Sequence, residues 1–160
     1  MPTDPKREFF RHTIATLAYR SCKTLRSVPE NFADFRVAEH TRTPVQILAH
    51  IGDLLDWVLS QAKGKEEWHN SKPLSWKEEV TRFFAALEAL DVYLASDALI
   101  AVPVEKLFQG AIADALTHTG QLAMLRRIAG APVKGENYHR AHIAAGQVGP
   151  DQPAPVREFD

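Results

Sequence analysis

Hydrophobic positions recur at three- and four-residue spacing in four stretches of this chain, and each stretch carries its own start and stop signals. The first runs from about Asp4 to Arg26. Asp4 is placed to cap, Pro5 suits the first helical position, and Val28-Pro29 ends the segment. Phe10, Ile14, Leu17 and Ala18 mark its apolar face. The second opens on Thr43-Pro44-Val45-Gln46, a capping box with proline at the first helical position. It continues through Ile47, Leu48, Ile51, Leu54, Leu55 and Val58 to Gly64, and this broad apolar surface predicts burial against several neighbours. The third opens on another capping box, Ser75-Trp76-Lys77-Glu78. Val80, Phe83, Phe84, Leu87, Leu90 and Leu94 then keep the helical period to about Ser96. The fourth runs from near Pro103 to Gly130, with Val104, Leu107, Phe108, Ala111, Ala115, Leu122 and Leu125 on its core face. Arg126 and Arg127 complement the dipole of its last turn, and Gly130-Ala131-Pro132 stops it.

Four amphipathic segments, with no hairpin pattern before Gly130, predict an all-α four-helix bundle over residues 1–130. The short link between the third and fourth segments predicts that they are near neighbours. The links after Arg26 and after Gly64 are longer and leave the topology open. Gly135, Gly146, Gly149, Pro150, Pro153 and Pro155 exclude one long helix in residues 131–160. That stretch is expected to be an irregular tail packed on the bundle or on a partner, with a short helical turn over Ala141 to Ala145.

Composition narrows the picture further. At 160 residues, 45% hydrophobic and 24% charged, the chain is long enough for one domain whose core needs no staples. Nineteen Lys and Arg face 20 Asp and Glu, a net charge of −1, and no basic block is present. Nucleic acid and anionic membrane are therefore not expected partners. No apolar run is long enough to span a bilayer, and the first residues lack the apolar stretch of a signal peptide, so a cytosolic location is expected. Cys22 is the single cysteine, which excludes an internal disulfide; mid-helix, it reads as a small core residue.

Candidate chemistry comes from ionisable residues on core faces. His50 lies among Ile47, Ile51 and Leu54 on the second segment. Asp114 and His118, four residues apart, stack on one face of the fourth. If those two helices are neighbours, the three converge into a two-histidine, one-carboxylate site with open positions, suited to Zn, Ni, Fe or Mn. The competing reading is a buried hydrogen-bonded pair in which Asp114 orients His118 and His50 is a satisfied core histidine. Gln121, one turn past His118, is a candidate to hold that ring or a polar boundary residue. Of the other histidines, His12 is expected at the edge of the bundle and His40 and His69 in solvated connections, while His139 or His142 would be an extra ligand only if the tail folds back. Trp57, Trp68 and Trp76 either rim a cleft or pack in core and loops. No nucleophile elbow, phosphate-binding glycine loop, dinucleotide fingerprint or zinc-finger spacing is present.

The stretch Thr43-Pro44-Val45-Gln46-Ile47-Leu48-Ala49-His50-Ile51 resembles the second helix of the DinB/YfiT-like metalloenzymes. Thr117-His118-Thr119-Gly120-Gln121-Leu122, followed by Leu125-Arg126-Arg127 and Gly130, resembles their fourth helix, and the aromatic-rich segment from Ser75 to Ser96 is similar to their third. The resemblance covers about residues 5 to 130 and rests on the order and spacing of all four segments. It implies a four-helix bundle of up-down-down-up topology. It also implies a divalent metal held by three histidines, one on the second helix and two on the fourth. His50 matches the first of these and His118 the last; Asp114 stands where the family has the middle histidine. The resemblance further implies activation of a low-molecular-weight thiol, or of water, for attack on a small electrophilic substrate, and assembly as a homodimer. A different class of function, a non-catalytic dimeric bundle for binding or stress response, would make Asp114 the mark of a lost metal site.

Overall fold

The computed structural model describes residues 4–159 and shows a four-helix bundle. Helix α1 spans Pro5–Leu25, α2 Pro44–Ala62 and α3 Trp76–Ala95. The fourth, α4, is built of three consecutive pieces: Val104–Leu107, one π turn over Phe108–Ile112, and Ala113–Ile128. The described residues contain no strand, only an isolated antiparallel bridge between Glu136 and Glu158. None of these helices is long and apolar enough to cross a membrane.

The ends of the helices follow from local chemistry. Asp4 accepts a hydrogen bond from the Lys6 amide at 3.0 Å. In both capping boxes the hydroxyl accepts from the amide three residues on, and the Gln46 or Glu78 side chain accepts from the cap's own amide. Each such cap contributes about 1 kcal/mol. Gly64 and Gly130, with φ of +72° and +82°, take the left-handed conformation that closes α2 and α4.

Phe10, Ile14 and Leu17 of α1, Leu48, Ile51 and Leu55 of α2, Phe83, Leu87 and Leu90 of α3, and Leu107 and Leu122 of α4 are all buried in one core. Burial of each side chain of this size stabilises by about 1.5–3 kcal/mol. Helix α2 packs on α3 and α4, and α1 packs on the same two, so α1 and α2 lie across one diagonal and α3 and α4 across the other. The expected adjacency of the third and fourth helices is thus corrected. Their link, residues 96–103, is long enough at about 3.3 Å per residue to cross the end of the bundle. Contacts fix the relative directions. Trp76 at the start of α3 donates to the Leu25 carbonyl at the end of α1, so these two run antiparallel. Arg82 reaches Ala49 and Asp53, while Tyr93 reaches Ala62, so α2 and α3 run parallel. Ser21 bonds Thr119, and Arg126 bonds Thr24, so α1 and α4 run parallel.

Two arginines hold the frame. Arg82 on α3 donates to Asp53 at 2.6 Å, Asp56 at 2.9 Å and Glu79 at 3.4 Å, and also to the Ala49 carbonyl. Arg126 stands in the last turn of α4, as the sequence suggests, and does more than complement the dipole. It is buried and donates to the carbonyls of Thr24, Arg26 and Ala131. It therefore satisfies the orphan carbonyls at the end of α1 as well as its own helix's exit.

The tail lies along α1. Tyr19 donates to buried Glu136 at 2.7 Å, Lys23 pairs with Glu136 and Glu158, the Cys22 thiol donates to the Pro150 carbonyl, and Val148 is buried. The helical turn expected over Ala141 to Ala145 is displaced: a single 3-10 turn forms over Tyr138–Arg140, because the Asn137 side chain caps it.

Candidate metal centre

Helices α2 and α4 run antiparallel where His50 meets Asp114 and His118. One ligand atom from each residue lies within 4.8 Å of the others. His50 Nε2 is 3.7 Å from Asp114 Oδ2, and His118 Nε2 is 3.4 Å from Asp114 Oδ1. The two imidazoles stand edge to face, 4.9 Å between centroids. Donor atoms around a tetrahedral ion of zinc size sit about 3.4 Å apart, so the spacing fits a shared cation. Both rings are mostly shielded, at 19% and 14% exposed, whereas the Asp114 side chain is 47% exposed. The cluster therefore opens to solvent on the carboxylate side.

The hydrogen bonding around the cluster is compatible with ligation. His118 Nδ1 lies 2.7 Å from Gln121 Oε1. An amide oxygen only accepts, so Nδ1 carries the proton and, in the neutral ring, the Nε2 lone pair faces Asp114. Nε2 and the Asp114 oxygen, 3.4 Å apart, can share a proton or a cation. His50 is held below the ordinary histidine range, first by burial and then by the charge of Arg42 and, when it is protonated, of His118; Asp114 and Asp53 pull the other way. Its ring is accordingly neutral near pH 7 and offers a lone pair.

The π turn of α4 ends just before Asp114. It inserts a wider turn into the helix immediately ahead of the two ligand positions, a placement common next to functional sites. On the α2 side, Trp68 packs edge-on against His50 at 5.7 Å and against Trp57 at 5.7 Å, and Trp57 donates to Glu66. Two of the three tryptophans thus wall the cluster. Trp76 packs instead on Phe32, away from it.

The remaining histidines do not join. His12, His40, His139 and His142 are exposed, and half-exposed His69 pairs with Glu67. Cys22 is buried beneath the tail, and burial pushes its thiol up. Arg42 is the residue that sequence reasoning passed over. It precedes the cap of α2, and its charge reaches His50. The sequence signal available was its place directly before Thr43.

Fold and site together define an all-α bundle with a two-histidine, one-carboxylate cluster able to hold a metal ion. Compared with protein-family models, with curated proteins and with solved structures, the chain matches none.

Proposed function

We propose that this chain is a metal-dependent enzyme of the DinB-like kind, in which His50, Asp114 and His118 hold a divalent Zn, Ni, Fe or Mn ion. The reaction proposed is attack of a thiol, or of water, on a small electrophile. The observation that carries the reading is the convergence of His50, Asp114 and His118, one ligand atom of each within 4.8 Å of the others, with the His50 ring held below the ordinary histidine range. A divalent ion bound there would supply the Lewis acidity that brings a thiol or water to its anionic form near neutral pH.

The chain's own residues have separate tasks. His50 presents a neutral nitrogen from α2. Gln121 fixes the His118 ring in the tautomer that leaves Nε2 free. Asp114 supplies negative charge on the solvent side, where substrate enters. Trp57 and Trp68 keep water from the α2 side of His50.

The test is metal content by plasma mass spectrometry on untagged protein, with His118→Ala beside it and circular dichroism as the control for folding. Near-stoichiometric metal in the parent and its loss in the folded variant are expected. Turnover that requires added thiol would select the transferase chemistry over hydrolysis. A parent that takes up none of Zn, Ni, Mn or Fe(II) would overturn the proposal in favour of a non-catalytic bundle.

A further inference from the structure

A trough of about 500 Å³ opens directly beside the cluster, between α4 and the loop that leads into α2. Its walls are apolar: Val37, Ile47, Met124, Leu125 and Ile128. Three of these, Val37, Met124 and Ile128, are about half exposed, at 48%, 51% and 51%. Large apolar side chains converging on one concavity of this size mark a small-molecule site rather than an ordinary solvated face. The polar groups are few and grouped. His118 and Gln121 reach the trough from the cluster, and Arg42 and Thr41 line it from the loop.

Arg42 decides the ligand chemistry. It is exposed and has no ion-pair partner among the described residues. Helix α2 begins just behind it and has no acidic residue in its first turn, so the positive end of the helix dipole adds to the guanidinium. One planar cation with no lysine beside it in the trough matches a single carboxylate, which a guanidinium can bind through two parallel hydrogen bonds.

We propose that this trough binds a small organic acid, its apolar body along Ile47, Met124 and Ile128 and its carboxylate on Arg42. That the bound acid is the substrate rests on the metal-dependent reading above, since only then does the far end of the molecule meet reactive groups at His118. Binding itself does not depend on that reading.

The chain has two methionines, Met1 and Met124, so carbon-13 methyl labelling gives an assignable reporter inside the trough. Full-length protein is titrated in EDTA with phenylbutyrate and, separately, with its uncharged amide. The EDTA keeps the carboxylate from being read through a metal. The Met124 methyl signal is expected to move with both probes, with the acid binding about fivefold tighter at low salt. Arg42→Gln should erase that difference and leave the amide unchanged. Ile128→Glu, at an exposed position, should weaken both. No movement with either probe up to about 10 mM would overturn the proposal. So would equal binding of acid and amide, or a preference that survives Arg42→Gln. Metal content measured on parallel samples of the same protein, kept free of EDTA, separates the two proposals: trough binding without metal uptake sinks the function and leaves the site, and the reverse sinks the site alone.

Discussion

Replacing Arg82 with methionine tests the frame that positions His50. The side chain keeps its length and apolar stem but loses the guanidinium. Asp53 and Glu79 are buried to 2% and 1% side-chain exposure. In the parent, Arg82 meets both, and a backbone amide meets each one as well, Ser71 for Asp53 and Leu74 for Glu79. After Arg82→Met only the amides remain, and two carboxylates are left in the interior without a cation. Breaking a buried ion pair from one side costs about 3–5 kcal/mol. In a domain of this size that lowers the melting temperature by about 6–20 °C. The pH dependence gives a second readout. Burial pushes the Asp53 carboxyl up, but hydrogen bonds from Ser71 and Arg82 outweigh it and hold the group below its ordinary 3.8. Its contribution in the parent is therefore present above 3.8 and lost as pH falls through the depressed folded value. In the variant burial faces less opposition, so protonation relieves the structure instead. The gap between parent and Arg82→Met, followed by urea denaturation at several pH values, should narrow steadily from neutral toward acid. A loss under about 1 kcal/mol at neutral pH, or a gap that does not change with pH, would refute this account.

Gln121→Leu should lower metal affinity about 10- to 100-fold, measured by competition with a chromophoric chelator, while the urea midpoint barely moves. Unchanged affinity would show that the Gln121 contact does not set the His118 tautomer. Gly52→Ala should destabilise although alanine is the better helix former by about 1 kcal/mol. A Cβ there would stand 2.8 Å from the Arg82 guanidinium, which Asp53 and Asp56 pin in place, and a raised urea midpoint would contradict the crowding.

How much of this was legible in the sequence depends on the range of the interaction. Asp4, Thr43 and Ser75 act on amides two or three residues away, so the starts of α1, α2 and α3 could be read directly. Asp114 and His118 share a face through helical periodicity alone, and His50 joins them only through the packing of α2 on α4. Arg126 could be read only as a dipole partner of its own helix, because its further partners, the carbonyls ending α1, lie about a hundred residues away. Glu79 and Arg82 fall between the apolar positions of α3 and gave no sign of burial, since Arg82 is drawn in by Asp53 and Asp56 of α2 and Glu79 is buried against Arg82 and the Leu74 amide. The π turn has no residue signature at all. Phe108 to Ile112 reads as ordinary helix, and the wider turn packs on α1 and α2, neighbours that periodicity does not name.

That turn divides α4 into two lengths with independent phase. A π turn takes up one residue more than an α turn, so everything after Ile112 is offset by about 100° from where an unbroken helix would carry it. Leu107 is buried in the core between α1 and α2, with Val104 packed against it, while Asp114 and His118 belong to the cluster. A helix without the offset would have to satisfy both with a single rotation. Here the offset lets Asp114 and His118 meet His50 of α2 while Ala115, Leu122 and Arg126 of the same half keep the helix seated in the core and on α1, so one stretch of helix carries both the ligands and their anchorage.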